Sequence, residues 1–365
     1  MQIGLVIYGD LTTVSGGYLY DRQLVEHAQD QGHTVHLVSL PWRSYPRHLG
    51  DNLSKHFFEQ LRTLPVDVLI QDELNHPSLI WVNRRLRGQV KYPIVSIVHH
   101  LRSSEAHSVL LKGGYRWLEQ QYLRTVDGFI YNSQTTRISV ETLLEKPHPA
   151  IVAYPAANHL PIPDSATLQK MILARTNVTG PLRILFIGNV IPRKNLHILL
   201  TALAKLPPAT WQLTVVGNLA IDPGYTSRIR QQIAAQHLTD AVRLADALPE
   251  QALLEALQSS HLLAVPSYEG FGIVYLEAMS YGLPIIASTA GAAHEMITHG
   301  QEGFLVTPGD SASITQHLQT WQQNREQLRA MSLAARTRFE AQPTWQTNVT
   351  SILNWLREVK QIVYK

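Results

Sequence analysis

The chain has 365 residues, a length that predicts two domains because single hydrophobic cores stop growing at roughly 250 to 300 residues. Its composition, 45% hydrophobic and 16% charged, is typical of a globular protein, and no run of about 20 apolar residues is present to span a bilayer. The net charge of +3 is too small for a dedicated nucleic-acid-binding protein, and the absence of cysteine excludes disulfides, thiolate nucleophiles and zinc–thiolate sites.

The first half alternates short β-branched runs with longer amphipathic segments, a pattern that predicts a parallel sheet with helices on both faces. Its first run lacks the basic leader of a signal peptide, and we therefore expect a cytoplasmic protein. A helical pattern from Tyr18 to Gln31 is typical of the connections between such strands. The predicted strands of this half lie at residues 2–8, 33–39, 67–71, 93–98, 127–131 and 149–154.

A polar, proline-bearing stretch at residues 158–180 shows weak periodicity and predicts a linker. A second series of strands follows it, with helices predicted to begin near Leu196, Thr226, Gln251 and Ile273. The sequence therefore predicts a second, Rossmann-like domain. Its predicted strands lie at residues 182–187, 212–216, 241–244, 262–265, 284–287 and 303–306.

The last part of the chain is predicted to be helical after Ser311, to break at residues 342–344 and to end in a helix from Trp345 to about Val363. The expected fold class is α/β, with two doubly wound parallel sheets facing a central cleft. Ligands on such sheets bind outside the carboxyl ends of the strands. The predicted segments are an N-terminal domain (1–178), a C-terminal domain (179–340) and a terminal helix that crosses back to the N-terminal domain (341–365).

The most informative loop is residues 266–277, which follows a predicted strand and opens a helix. Gly270 and Gly272 allow backbone amides to approach a ligand, and the helix start offers unpaired amides and a positive dipole end to a diphosphate. Glu277 lies about one and a half turns into the helix, where it can accept hydrogen bonds from a ribose, and Glu269 precedes the helix. A glycine-containing turn with two solvated glutamates is the alternative interpretation.

Histidines follow the predicted strand at residues 93–98, with His99 and His100 in tandem. A metal site is one interpretation, but adjacent side chains on an extended chain point to opposite faces, which disfavours joint ligation. In the segment from Asp72 to His76, capping of a loop is favoured over a metal or acid/base site. The aromatic and basic segment from Lys112 to Arg124 favours an amphipathic helix packed on the sheet, with contact to a membrane surface as the alternative.

The order of these motifs resembles glycosyltransferase family 4, a retaining family of GT-B fold, in which Glu269 and Glu277 correspond to the Glu-x7-Glu element. The resemblance continues through residues 282–287, 291–295 and 303–310, and is looser in the first domain. It implies transfer of a sugar from a nucleotide-diphosphate donor to an acceptor with retention of configuration. The family's fold requires no metal and no other cofactor for this reaction.

By this resemblance, Arg193 and Lys194 grip the donor diphosphate, Glu269 and the amides of the following loop hold the sugar and phosphate, and Glu277 holds the ribose. His99 is implied to orient the transferred sugar. The implied catalytic residues are His99, Arg193, Lys194 and Glu269. The remaining implied donor-binding residues are Gly16, Gly17, Gly188, Asn189, Gly217, Gly270, Phe271, Gly272, Ile273 and Glu277.

Two positions depart from the family pattern. Many relatives carry an arginine where this chain has Asn189, and often a glycine where it has Asp246. These departures motivate the alternative of a nucleotide-sugar-binding or scaffold protein without catalysis, and a phosphorolytic or hydrolytic enzyme of the same fold is a third interpretation. The expected partners are a nucleotide sugar and an unidentified acceptor, with no nucleic acid and with peripheral membrane contact left open.

Overall fold

The computed structural model describes residues 1–105, 108–177 and 180–363. The chain forms two compact units, one made of Met1–Pro155 with the chain from Pro343 onward, and one made of Ala156–Gln342. Within the described residues, no helix combines the length and the apolar character that crossing a bilayer requires.

The described part of the first unit contains a six-stranded parallel sheet of order β2-β1-β3-β4-β5-β6. Every residue of the strands over residues 68–72, 94–98 and 128–131 is buried, as expected of strands covered on both faces. The strands are β1 (Gln2–Tyr8), β2 (Thr34–Leu40), β3 (Val68–Asp72), β4 (Ile94–Val98), β5 (Gly128–Tyr131) and β6 (Ala150–Val152). The helices are α1 (Gly16–Asp30), α2 (Tyr45–His48), α3 (Lys55–Arg62), α4 (His76–Leu86), α5 (Val109–Leu123) and α6 (Gln134–Leu144).

The second unit has its own six-stranded parallel sheet over the described residues, of order β12-β11-β10-β7-β8-β9. The strands are β7 (Leu182–Ile187), β8 (Trp211–Val216), β9 (Val242–Leu244), β10 (Leu262–Val265), β11 (Ile285–Ser288) and β12 (Gly303–Val306). The helices are α7 (Ser165–Asn177), α8 (Leu196–Leu203), α9 (Pro223–Ala235), α10 (Glu250–Ser259), α11 (Ile273–Ser280), α12 (Ser311–Gln323) and α13 (Arg325–Glu340).

The last helix, α14 (Trp345–Val363), packs against α1 of the first unit. The ring of Trp345 meets the ring of Tyr20 edge-on, with centroids 5.3 Å apart. The side-chain amide of Asn348 donates to the carbonyl of Tyr154. Tyr364 and Lys365, at the end of the predicted segment 341–365, lie outside the described residues.

The boundary between the units differs from the sequence prediction. The predicted junction at 178/179 lies outside the described residues, whereas the structural boundary falls between Pro155 and Ala156. The predicted linker contains helix α7, whose Leu168 and Ile172 are buried in the second unit and whose Arg175 donates to the carbonyl of Gly282. Residues 156–177 therefore belong to the second unit, because α7 covers part of its core.

The strand predictions are confirmed. Each of the twelve predicted strands is present, with ends displaced by at most two residues. Runs of buried Val, Ile and Leu carry this signal, because parallel strands covered on both faces are apolar along their whole length. The carboxyl end of each strand leads into a loop, and the candidate site residues lie on these loops or on the helices that follow them.

Candidate functional site

The loop between β10 and α11 is held in one conformation by Gly272. This residue caps α11 with a left-handed backbone, φ 97°, and a Cβ at this position would lie 2.5 Å from the ring of Tyr275. The Tyr275 hydroxyl in turn donates to the carbonyl of Val265 at 2.9 Å, so the ring cannot move away freely. A glycine is therefore required here, and the loop places Gly270, Phe271 and the first amides of α11 next to Glu269.

Glu269 lies at the centre of the charged groups in this loop. Its Oε1 is 2.5 Å from Nζ of Lys194 and also accepts from the hydroxyl of Ser267, and its Oε2 is 3.8 Å from the guanidinium of Arg193. Burial would raise the pKa of Glu269, but Lys194 and Arg193 outweigh burial and lower that pKa to about 2. The carboxylate is therefore ionised at neutral pH.

The loop after β7 is tied to the Glu269 loop. The guanidinium of Arg193 donates to the carbonyl of Tyr268 at 2.9 Å, and the Asn195 side chain donates to the carbonyl of Pro266 at 2.9 Å. Asn195 also caps α8 with φ 55°. These bonds place Arg193 and Lys194 beside Glu269, and the two loops form one charged cluster at the carboxyl edge of the second sheet.

The loop after β8 passes close to the loop after β7 at Gly217. A Cβ on Gly217 would lie 2.1 Å from the carbonyl oxygen of Gly188, so no larger residue fits. Asn189 follows Gly188 and is half-buried. The predicted residues Gly188 and Gly217 thus lie in adjoining loops of the second unit, and Gly217 allows the backbones of the loops after β7 and β8 to approach each other.

Asp246, where the family resemblance led us to expect a glycine, has a left-handed backbone with φ 53°. Its carboxylate accepts from the amides of Leu219 at 3.2 Å and Ala247 at 2.9 Å, and its carbonyl accepts from the amide of Gly217 at 2.9 Å. Aspartate tolerates this conformation better than most residues because its side chain bonds to nearby backbone. The replacement therefore keeps the turn and fixes the loop after β8.

Glu277, in the second turn of α11, is paired with a residue that sequence reasoning missed. Its Oε1 is 3.1 Å from Nε2 of His159, and both side chains are about one-eighth exposed. The opposite nitrogen of His159 is buried and has no hydrogen bond partner among the described residues. No sequence signal identifies His159, because it lies 118 positions from Glu277 in the stretch predicted as a linker.

His99 follows β4 in the first unit, where its Nε2 lies 3.6 Å from Oδ1 of Asp21 on α1. Asp72, at the end of β3, completes a group whose ligand atoms all lie within 4.8 Å of one another. Burial and Asp21 raise the pKa of Asp72 to about 7. Burial would lower the pKa of His99, but its acidic neighbours outweigh burial and raise it.

His100 points to a different partner from His99. Its Nε2 lies 2.9 Å from Oε1 of Glu105, so the tandem histidines do not share one set of ligands. Asp72 accepts from the amide of Leu74 at 2.9 Å and caps the short turn that follows β3, as the sequence favoured. Of the predicted residues in this unit, Gly17 lies against the His99 ring and Gly16 begins α1 at the surface.

A second buried group in the first unit consists of Glu73, His76 and Glu119, also within 4.8 Å of one another. His76 is engaged on both sides, with Nδ1 3.0 Å from Glu73 and Nε2 2.6 Å from the Tyr45 hydroxyl. Burial and Glu73 raise the pKa of Glu119 to about 7. Both His76 nitrogens therefore already have partners, whereas Oε1 of Glu73 is buried without a hydrogen bond in the described part of the chain.

Helix α5 contains the aromatic and basic segment of the sequence prediction. Its C-terminal part buries Glu119, Tyr122 and Leu123, which agrees with an amphipathic helix packed on the sheet. Its N-terminal part exposes a run of apolar side chains, and Trp117 is 60% exposed. The exposed run consists of Val109, Leu110 and Leu111.

Residues 172–338 match the family model described as glycosyl transferases group 1. This segment contains Arg193, Lys194, Glu269 and Glu277. A glycogen synthase of Mycobacterium tuberculosis is 29% identical over 182 residues, which are 49% of this chain and 43% of that protein. The chain thus spans less than half the length of this relative.

Solved structures with the same fold cover nearly the whole chain. The sucrose-phosphate synthase of Thermosynechococcus elongatus superposes with a TM-score of 0.83 at 20% identity, over 98% of each chain. The Anabaena protein HepE in complex with UDP-glucose superposes with a TM-score of 0.78 at 19% identity, over 98% of this chain and 100% of that chain. These likenesses and the two parallel sheets confirm the predicted α/β, two-domain GT-B fold.

Proposed function

We propose that the protein is a retaining glycosyltransferase that transfers a sugar from a nucleotide-diphosphate sugar to an acceptor hydroxyl. The observation that carries this proposal is the cluster of Lys194, Arg193 and Glu269 beside the N-terminus of α11. Positive side chains and free helix amides together bind the oxygens of a diphosphate. The match to glycosyl transferases group 1 covers this cluster, and HepE, which has the same fold, was solved with UDP-glucose.

In this proposal Lys194 and Arg193 stabilise the leaving diphosphate. Negative charge grows on the phosphate oxygen as the bond to the sugar breaks, and positive groups already in place lower the energy of that state. Glu269 holds both cations in position at 2.5 and 3.8 Å before the donor arrives. With lysine and arginine supplying the positive charge, the mechanism requires no metal ion.

We assign Glu277, His159 and His99 to the binding of the donor's ribose and of its transferred sugar. Glu277 binds the ribose hydroxyls, and His159, 3.1 Å from Glu277, orients its carboxylate. His99 donates a hydrogen bond to a hydroxyl of the transferred sugar. Retention follows when the acceptor attacks from the face that the diphosphate leaves, through an oxocarbenium-like state, so no protein nucleophile is assigned.

A nucleotide-sugar-binding protein without catalysis is the second candidate, and Asn189 favours it. Family members often have an arginine at this position, and an uncharged amide stabilises a leaving diphosphate less. Arg193, which already reaches the Glu269 loop, takes the place of that arginine in our assignment. The two candidates differ in one outcome, the release of nucleoside diphosphate.

Peripheral membrane contact through the first unit is a further part of the proposal. The exposed Val109, Leu110 and Leu111 and the 60% exposed Trp117 favour it, because such side chains insert at a lipid interface next to basic residues such as Lys112. Flotation with anionic vesicles tests it. Loss of binding in a Leu110→Ser/Leu111→Ser variant is the expected result, and equal flotation of both proteins contradicts it.

The function is tested by incubating the purified protein with a panel of nucleotide sugars and mixed acceptors, and by measuring release of nucleoside diphosphate. We expect release with at least one donor, an axial linkage by NMR when the donor is α-linked, and unchanged rates in EDTA. Lys205→Ala is the matched control for Lys194→Ala, because Lys205 is an exposed lysine of the same unit whose ammonium donates to the hydroxyl of Ser311 and lies near Asp310. Donor binding without release of nucleoside diphosphate in the presence of any acceptor supports a binding or scaffold protein. Release of sugar-1-phosphate contradicts glycosyl transfer.

A further inference from the structure

Asp21 on α1 is a fully buried carboxylate without hydrogen bonds. Its side chain is 0% exposed, and neither carboxylate oxygen has a hydrogen bond partner in the described part of the chain. An isolated charge in such a place is strongly unfavourable, so a buried carboxylate is paired or neutralised. Its surroundings must therefore supply either a cation or a proton.

The positive charge that Asp21 requires can come from His99. Nε2 of His99 lies 3.6 Å from Oδ1 of Asp21, an ion-pair distance, and this nitrogen is buried with no hydrogen bond to any described residue. The other carboxylates that face His99 are Asp72, at the end of β3, and Glu73, in the turn that follows, and the ring of Tyr20 meets the imidazole edge-on with centroids 5.3 Å apart. The three carboxylates together outweigh burial and raise the pKa of His99.

The backbone and ring of His99 are also held in place. Its carbonyl accepts from the side chains of Asn132 at 2.7 Å and Thr136 at 3.4 Å. A Cβ on Gly17 would lie 3.1 Å from Cδ2 of the ring, so the first turn of α1 packs directly against it. With the Nε2 edge turned toward Asp21, the opposite nitrogen, Nδ1, makes no hydrogen bond within the described residues.

We propose that Asp21 is a positioning residue that keeps His99 doubly protonated, with Nε2–H facing its carboxylate and Nδ1–H presented to the sugar as the donor. This inference rests on the proposed function, in which His99 contacts the transferred sugar. The imidazolium donates a hydrogen bond and keeps both of its protons, so no proton is transferred. Asp21 acts through His99 and does not touch the substrate.

The first test is the pH dependence of kcat/KM for Asp21→Asn. The active form carries protonated His99, so activity is lost as the pH rises through the pKa of His99. Removing the charge of Asp21 lowers that pKa, and the alkaline midpoint moves to lower pH. At neutral pH we expect kcat to fall roughly 10- to 100-fold, the contribution of a charged hydrogen-bonding group.

The matched control is Asp51→Asn, which disrupts another buried Asp–His pair of the same unit. Asp51 lies 3.2 Å from Nδ1 of His48 and is 6% exposed. We expect this variant to lose stability but to keep the alkaline midpoint of the wild type. An Asp21→Asn midpoint equal to that of the wild type overturns the proposal. If Asp21→Asn does not fold, Asp72→Asn is expected to shift the midpoint in the same direction.

A second readout does not depend on catalysis. The protein has 17 histidines, and ¹⁵N-histidine NMR with a His99→Gln variant assigns the His99 resonances. We expect His99 to titrate at lower pH in Asp21→Asn than in the wild type, and identical titrations contradict the inference. A wild type that releases no nucleoside diphosphate from any donor contradicts the proposed function alone, because the titration still tests the pairing with His99.

The rival explanation for the buried charge of Asp21 is a metal ion shared with Asp72 and His99, whose ligand atoms lie within 4.8 Å of one another. Elemental analysis of the purified protein and titration with Zn²⁺ and Mn²⁺ separate the two. We expect less than one equivalent of metal and a His99 titration that EDTA does not alter. One tightly bound equivalent that Asp21→Asn abolishes overturns the proton-holding role.

Discussion

Both units contain a buried carboxylate beside a basic side chain at the carboxyl edge of the sheet, but the basic side chains differ. In the second unit, Lys194 lies 2.5 Å from Glu269, and Arg193 adds a second cation. In the first, the partner of Asp21 is a histidine at 3.6 Å, with Asp72 alongside. Accordingly, the carboxyl pKa is lowered to about 2 at Glu269 and raised to about 7 at Asp72.

This difference indicates two kinds of chemistry. Lysine and arginine keep their charge across the physiological pH range, so the second unit offers a permanent positive charge to an anion. The first unit has more acidic groups than cations around His99, so its charge depends on bound protons. A permanent charge suits diphosphate binding, whereas a protonated histidine suits hydrogen bonding to neutral hydroxyls.

The largest effect is expected from Lys194→Ala. Transfer should fall by about 10²- to 10³-fold, as when one group that stabilises a developing anion is removed. The free energy of unfolding should fall by roughly 3 kcal/mol, because the buried Glu269 loses its nearest cation. Kinetics and urea unfolding measure the two effects.

The double variant Lys194→Met/Glu269→Gln separates stability from catalysis. Removing both charges avoids an unpaired carboxylate, so most of the stability should return while transfer stays low. Recovery of transfer in the double variant would show that the lysine serves only to neutralise Glu269. Lys205→Ala, at an exposed lysine of the same unit, should change neither quantity.

The second prediction is that the stabilising contributions of Glu269 in the second unit and of Asp72 in the first change with pH in opposite directions. The pKa of Glu269 is lowered from 4.5 to about 2, so its contribution is present above about pH 4.5 and lost as the pH falls toward 2. The pKa of Asp72 is raised from 3.8 to about 7, so the folded state holds an extra proton and its contribution is lost as the pH rises from about 4 to 7.

The free energies of unfolding of the wild type, Glu269→Gln and Asp72→Asn, measured from pH 3 to 8, test this contrast. The stability of the wild type relative to Glu269→Gln should increase with pH, by up to about 3 kcal/mol. Its stability relative to Asp72→Asn should decrease over the same range. If both stability differences changed with pH in the same direction, a permanent charge at Lys194 and a proton-dependent charge around His99 would be contradicted.

The sequence predicted the strands that support both charged clusters. It also predicted Lys194, Arg193 and Glu269 as site residues, but it did not predict Asp21 as a neighbour of His99. All twelve strands were predictable, because long buried runs of Val, Ile and Leu are a local signal. Glu269 was identified because it lies in a glycine-containing loop after a strand, and Lys194 was identified by the family resemblance of residues 188–196. Their contact joins residues 75 positions apart, and only the fold brings them together.

Other parts were not predictable for physical reasons. The apolar side chains of helix α7 do not follow a helical period, so residues 158–180 resembled a linker. His159 and Asp21 carry no motif, and their roles depend on the distant Glu277 and His99. Pairings between residues more than 75 positions apart leave no local pattern, which is why the sequence predicted the edge of each sheet but not its hydrogen-bond partners.

The third prediction concerns the turn that supports the second cluster. Gly272→Ala places a Cβ 2.5 Å from the Tyr275 ring at φ 97° and should lower the free energy of unfolding by roughly 2 to 3 kcal/mol. Gly300→Ala is the matched control, since φ is 85° but no atom lies within 4 Å of its Cβ. It should cost only about 1 kcal/mol. Equal losses in the two variants would mean that Tyr275 yields to the new methyl group.

The smallest effect is expected where Gly17 supports the first cluster. In Gly17→Ala the new Cβ lies 3.1 Å from Cδ2 of His99, so the ring must shift by a few tenths of an ångström. Gly113→Ala, on α5 with no atom within 4 Å of its Cβ, is the matched control and should gain up to about 1 kcal/mol from helix propensity.

We expect Gly17→Ala to gain less than Gly113→Ala and to change the titration of His99, because the distance from Nε2 to Asp21 changes with the ring. ¹⁵N-histidine NMR and urea unfolding of both variants measure these effects. A His99 titration unchanged in Gly17→Ala would mean that the ring yields without leaving Asp21. The proton-dependent cluster would then tolerate displacement, unlike the turn at Gly272, whose backbone conformation only glycine adopts without strain.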